Sequence, residues 1–542
     1  MKKIFTGGTI LTMADDRQVE AVYVEDNRIK ATGSLADCRK EAGGDFEVVD
    51  LGGRCMMPGF VDTHTHPMML GMCRIWADLD YPRVAGIDDL VDVLREHANG
   101  LKPGESICGY GFDQRKFKER VHPTAKDLDR VSTEEYVQIM HASGHCNVVN
   151  TKLLRAIGVE DDTPDPPGGA FGRDRDGRPN GQLFDSANDL LSGMHGVRPQ
   201  NHGPNIHMPG TKENLMKRFE VGQGFFVRAG ITTVNEVQLT KQELNTYLEA
   251  RDQGKLKIRM EMSFLSNYLD DVIKLGFSSD FGDNWLTIGS IKFYSDASLF
   301  SGTANVSTGY LDSDRNQGYN YHEADEMVEI LVKAHKNRLH TLTHACGDGA
   351  VDPIIDAIEK AQAEDPWPEA VHRVEHAGLV TEEQAIRMGK VGMIPSAQAE
   401  FLHLYGDGVV AGVGPEKGEE FMPFARFKKY CPYFTISSDA PVTTPNPMEA
   451  ISTAVSRKTN MGTILCPEQA ITVEDGLKAY TIDAARALRR NRISGSIEAG
   501  KLADFAILSK SPLDIPLDKI DEMRNITVEE TWLDGEKIYE RA

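Results

Sequence analysis

No two cysteines stand at CxxC spacing in this sequence, and the eight that occur are scattered from Cys38 to Cys466. A chain of 542 residues needs no covalent staples, so they read as reduced thiols of a cytosolic protein. Long hydrophobic runs are missing as well. No stretch reaches the ~18 apolar residues of a membrane span. The opening MKKIFTGGTILTMADD has two lysines but no long apolar core behind them, unlike a signal peptide. Basic charge is in deficit: 60 Lys and Arg against 82 Asp and Glu give a formal net charge of −22. That argues against nucleic acid or an anionic membrane surface as the main partner.

Signatures of several other chemistries are lacking too. No GxSxG elbow supports a serine hydrolase. No GxxxxGKS or GxxxxGKT loop supports a phosphate site. GVGPEKG at 412–418 has the wrong spacing for a dinucleotide fingerprint and reads as a turn. RKFKER at 115–120 reads as a solvated loop. There is no internal repeat and no low-complexity tract.

What remains is a rhythm. The length suggests two or three domains, or one barrel with additions. With 40% hydrophobic residues a sizeable core is available. Both ends read as short strands and turns: KIFTGGTILTM, AVYVEDNRIKATG and FEVVDLGGRCMMPG, then GSIEAGKLADFAILS and ITVEETWLDGEKIYE. They suggest one small sheet domain made from residues 1–58 and 488–542. Between them, apolar runs alternate with amphipathic stretches. The runs are GFVDTHTH, GITTVNEV, IRMEMSF, GSIKFYS, LHTLTHAC, HRVEHAG, GMIPSAQ and YFTISSD. Eight strands alternating with helices over 59–487 suit a closed parallel α/β barrel. Residues from about 70 to 210, rich in Pro, Gly and Asp, fit this rhythm poorly. They read as an insertion on the loop face, after the first barrel strand.

Residues i and i+2 of a strand share a face, so His64 and His66 project together. Two neutral imidazoles can chelate a divalent ion, although two structural histidines would look the same. Later runs end in His344, His376 and Asp439. The carboxyl ends of barrel strands converge on one rim, so these four ends together point to one metal site. Lys292 sits in IKFYSDASL, where pairing with a carboxylate such as Asp296 is the simple reading. Cys346, two residues beyond His344, makes a Cys–His nucleophile conceivable, but the metal reading already uses that histidine.

The ordered motifs GFVDTHTHP, SGHCNVVN, GITTVNEV, IKFYSDASL, THACGDGAVD, RVEHAGLV, SSDAPVTTPNPMEAI and GKLADFAIL resemble the amidohydrolase superfamily. They are most similar to its YtcJ-like branch, which includes N-substituted formamide deformylases. The resemblance spans nearly the whole chain. It implies a distorted (β/α)8 barrel, a β-sandwich from both termini, and hydrolysis of a non-peptide C–N bond with one or two zinc-type ions. Lys292 then aligns with a family lysine that is often N6-carboxylated and bridges two metals. His64, His66, Lys292 and Asp439 would hold one ion, and Lys292, His344 and His376 the second. Asp439 would shuttle the proton from water to the leaving nitrogen. His145, Phe112, Asp113, Phe300 and Arg373 become candidate substrate contacts. Related sequences read DGSLGSRTA where this one reads DASLFSGTA, so Ala297, Phe300 and Gly302 mark a different pocket.

The same chemistry suits an esterase, a lactonase or a deaminase, and a non-catalytic small-molecule binder stays open. Zn2+ fits the donors first; Mn2+, Fe2+ and Ni2+ also fit. A small amide-type substrate is expected, in the cytoplasm, and a homodimer is not excluded.

Overall fold

The computed structural model describes residues 1–102, 104–166, 169–192, 210–311 and 316–542. Residues 103, 167, 168 and 193–209 of the expected insertion lie outside the described residues. The chain divides into two compact units, Met1–His66 with Gln223–Ala542, and Pro67–Gly222.

The first unit contains the barrel. Its eight parallel strands are, in order, Phe60–Thr65, Ile231–Leu239, Arg259–Leu265, Leu286–Tyr294, His340–Ala345, His372–His376, Ile394–Ala397 and Thr435–Ile436. Each pairs with the next in parallel register. Strands covered on both faces need no polar side, and all nine residues of Ile231–Leu239 are buried. Helices such as Lys241–Asp252 and Glu382–Lys390 follow their strands. Each opens with a capping box, Thr240 with Glu243 and Thr381 with Gln384, which satisfies the first free amides.

Strands one and eight share no backbone ladder. Side chains and the following loop close the seam instead. Thr63 Oγ1 lies 3.0 Å from Thr435 Oγ1 and 3.1 Å from Ser396 Oγ. Asp439 N donates to the His64 carbonyl at 2.9 Å, and His66 N to the Ala440 carbonyl at 3.0 Å.

The two chain ends build a β-sandwich. A four-stranded sheet holds Lys2–Thr6 and Ala21–Glu25; a six-stranded sheet pairs Cys55–Pro58 with Phe505–Leu508. Phe5 packs edge-on against Phe505 and Trp532, with centroids 5.2 and 5.0 Å apart. Arg259, fully buried at the start of the third barrel strand, is held by the sandwich residues Asp504 (2.7 and 2.9 Å) and Asp534 (2.7 Å).

The second unit is more ordered than a Pro- and Gly-rich insertion suggests. It carries a six-stranded mixed sheet with its own core of Leu79, Leu90, Leu94, Phe112, Val137 and Ile139. The segment GRDRDGRPN is the turn of a hairpin, Gly169–Arg173 with Pro179–Asp185. Its polar residues serve that turn and hide the strands on either side. Among the described residues no helix is long and apolar enough to cross a membrane.

Candidate metal centre

His64 and His66 leave the first barrel strand side by side, and the seam hydrogen bonds bring Asp439 against both. Asp439 Oδ1 lies 3.5 Å from His64 Nε2 and 3.2 Å from His66 Nε2. The donor atoms of all three residues fall within 4.8 Å of one another, and all are buried. Across the rim, the His376 ring centroid is 4.8 Å from that of His64 and 4.3 Å from that of His344. Lys292 Nζ completes the cluster, 3.5 Å from His64 Nε2 and 4.7 Å from the Tyr294 ring. The six expected ligands therefore meet in one place.

Two of them occupy costly backbone positions. His376 has φ +68° and Asp439 has φ +53°. L-residues avoid this left-handed region, and such strain concentrates at functional sites.

The outer nitrogens of His64, His344 and His376 each hydrogen-bond to an acceptor. His64 Nδ1 donates to Glu375 Oε2. His376 Nδ1 donates to Gln398 Oε1 at 2.8 Å, and His344 Nε2 to the Ala297 carbonyl at 3.0 Å. His66 Nδ1 lies 3.5 Å from Glu236 Oε1. At His64, His344 and His376 these partners hold the proton on the outer nitrogen and leave the other lone pair for a cation. The donor set therefore fits a divalent ion, with His64, His66 and Asp439 as the compact group.

Charge in the cluster follows from burial. Burial lowers Lys292 from its ordinary value to about 8. Burial also pulls His64 well below its usual range, with Lys292 adding repulsion. For His66 burial acts downward, but Asp439 and Glu236 outweigh it and raise the ring to about 9. Among the described residues Lys292 forms no ion pair. Asp296 does not hold it, because its carboxylate accepts from Asn305 N, Cys346 N and Gly347 N at 2.8–3.0 Å. Asp296, His344 and Cys346 make a second compact group that shares His344.

The expected substrate contacts separate. Phe300 joins an aromatic wall. Its ring is 4.2 Å from Tyr405 and 4.9 Å from Phe401, and Phe401 stacks on His376. Arg373 is 1% exposed. Its guanidinium bonds inside the barrel to Glu375 Oε1 (2.7 Å), the Thr63 carbonyl (2.9 Å) and Asn235 Oδ1 (2.9 Å). It orients Glu375 and is not a substrate contact. Phe112, Asp113 and His145 lie in the second unit. Phe112 is part of that unit's core, which replaces the expected pocket role. Asp113 is gripped by Arg115 through both oxygens, at 2.9 and 2.8 Å. His145 Nδ1 bonds to Asp185 Oδ1 at 2.8 Å.

Glu236, Glu375 and Gln398 carry no expectation from the sequence, yet Glu375 and Gln398 fix the rings of His64 and His376, and Glu236 stands beside His66. Glu236 and Glu375 do fall inside two of the matching motifs, GITTVNEV and RVEHAGLV.

Comparison with known proteins agrees with this geometry. The sequence pattern of the amidohydrolase family matches residues 47–539. The chain is 27% identical over 533 residues to the N-substituted formamide deformylase of Arthrobacter pascens, covering 96% of this chain and 95% of that protein. It is 26% identical over 550 residues to YtcJ of Bacillus subtilis, covering both chains completely. The crystal structure of an uncharacterized metal-dependent hydrolase from Pyrococcus horikoshii superimposes with a TM-score of 0.77 at 26% identity, over 96% of this chain and 99% of that one. With the pattern running from the sandwich through the whole barrel rim, the chain belongs to the amidohydrolase family and is a metal-dependent hydrolase.

Proposed function

We propose that the protein hydrolyses a non-peptide C–N bond, in an amide or N-substituted formamide with an apolar substituent. The observation that carries this reading is the position of Asp439. Its carboxylate stands against His64 and His66, where it can take a proton from an attacking water. The same carboxylate then returns that proton to the leaving nitrogen, since an amine leaves poorly unless protonated. His64, His66 and Asp439 would hold one divalent ion, with Lys292, His344 and His376 positioned for a second. Such an ion, Zn2+ first on donor chemistry, supplies Lewis acidity at the carbonyl and lowers the pKa of water toward about 7.

Lys292 deepens the reading. Burial brings its pKa to about 8, so a useful fraction is neutral at physiological pH. A neutral amine adds CO2 to give a carbamate, which turns a repelling cation into an anionic oxygen donor. Phe300, Tyr405 and Phe401 supply an apolar surface next to His376, suited to a hydrocarbon group on the substrate.

The test is a panel of N-substituted formamides, acyl amides, esters and lactones, assayed with the metal-loaded chain and again after chelation. Turnover of the amides or formamides that chelation abolishes and Zn2+ or Mn2+ restores is the expected result. Turnover of esters or lactones alone overturns the bond assignment.

A further inference from the structure

One buried amide beside the cluster has only half of its hydrogen-bonding capacity filled. Gln238 stands near the end of the second barrel strand, two residues beyond Glu236, and is 3% exposed. Its backbone N donates to Glu236 Oε1 at 3.2 Å, the oxygen that lies 3.5 Å from His66 Nδ1. Its side-chain Nε2 donates to the hydroxyl of Tyr294, the last residue of the fourth strand. The centre of the Tyr294 ring is 4.7 Å from Lys292 Nζ and 5.0 Å from that of His344. Gln238 therefore reaches past the third strand, from the His66 side of the rim to the Lys292 side. Among the described residues no donor reaches the other half of this amide, Gln238 Oε1, although the atom is buried.

A buried carbonyl oxygen without a donor is costly, about as much as a lost hydrogen bond. The Tyr294 hydroxyl fixes the amide nitrogen and with it the direction of the oxygen. That oxygen can only accept, so the group that completes it carries an N–H or an O–H. In an N-monosubstituted formamide with a hydrocarbon group, the one N–H sits on the leaving nitrogen. An ester, a lactone or an N,N-disubstituted amide has no donor there. As Asp439 passes its proton to that nitrogen, the nitrogen gains positive charge and its N–H becomes a stronger donor. A contact of this kind tightens toward the transition state, where binding energy accelerates the reaction.

We propose that Gln238 is a substrate-binding residue whose Oε1 accepts the N–H of the leaving nitrogen, so that the substrates are N-monosubstituted formamides or secondary amides. Tyr294 is the residue that positions it. The proposal rests on the reading of the chain as a C–N hydrolase and narrows that reading. A bound analogue without the N–H leaves Oε1 dry and unpaired, and sites of this kind reject such analogues strongly.

The experiment compares N-hexylformamide, N-hexyl-N-methylformamide and hexyl formate on the metal-loaded full chain. An analogue that is not turned over is measured as a competitive inhibitor. The N–H compound should exceed its N-methyl analogue at least about 100-fold in kcat/KM. Gln238→Met keeps the length of the side chain and removes both polar atoms. It should lower kcat/KM for N-hexylformamide about 10–100-fold, mostly in kcat, and leave turnover or inhibition by the other two unchanged. Tyr294→Phe keeps the ring and frees the amide, a milder change should Gln238→Met fail to fold. It should lose about tenfold, again on the N–H compound alone. Equal losses on all three compounds, or a parent chain that handles the N–H and N-methyl compounds alike, overturn the proposal while C–N hydrolysis stands. A parent chain that cleaves no formamide or amide at all removes the C–N reading itself, and this proposal falls with it.

Discussion

His376 lies flat against Phe401, with ring centroids 5.9 Å apart and planes 11° from parallel. One ring belongs to the metal cluster and the other to the aromatic wall that Phe300 and Tyr405 continue. The histidine cluster and an apolar wall are thus adjacent in one unit.

Phe300→Ala and Tyr405→Ala should each raise KM about tenfold, near 1.4 kcal/mol, for substrates with a bulky apolar substituent. Formamide itself should be turned over as before. Steady-state kinetics on both substrates checks this, and equal losses on the two would remove the wall from recognition.

Asp439→Asn keeps the shape of the side chain but cannot accept a proton. Turnover should fall by about 10²–10⁴-fold, with the circular dichroism spectrum unchanged. Full activity in this variant would reassign the proton shuttle.

The rim was legible because strands obey a period of two. His64 and His66 share a face, and apolar runs ending in His344, His376 and Asp439 mark strand ends. The same rule concealed Glu375. Neighbours on a strand point apart, so a reading that sends His376 inward sends Glu375 outward. In the structure Arg373 and Glu375 keep the inward face of the strand, and the left-handed backbone at His376 swings that ring inward as well. Positive φ at a histidine has no sequence signature. Phe112 misled for a related reason: an aromatic beside an acid looks the same whether it lines a pocket or fills a core.

At the opposite end of the barrel three groups form a neutral chain. Thr341 Oγ1 donates to His372 Nδ1 at 2.8 Å, His372 Nε2 to His335 Nδ1 at 2.9 Å, and His335 Nε2 to the Asp365 carbonyl at 2.8 Å. Burial lowers His372 to about 3, whereas an unfolded histidine titrates near 6.5. Between those values the unfolded chain binds the extra proton, so stability falls as pH drops from about 6.5 toward 3. His372→Gln should flatten this acid limb, seen as a smaller difference between melting temperatures at pH 7 and pH 5. An unchanged difference would place the acid sensitivity elsewhere.

Arg259→Met removes the cation that Asp504 and Asp534 surround. Stranding a buried carboxylate typically costs about 3–5 kcal/mol. The unfolding midpoint in urea should drop accordingly, and a midpoint equal to that of the parent would show that the pair contributes nothing net.

The seam between the first and last barrel strands has a consequence for biosynthesis. His64 emerges from the ribosome hundreds of residues before Asp439, and Cys55–Pro58 waits still longer for Phe505–Leu508. Until then the nascent sheets keep open margins, the kind of surface that recruits chaperones or aggregates. Shortened products ending before the seam therefore lack both a finished fold and a finished active centre, so truncation should yield insoluble chains rather than weak enzymes.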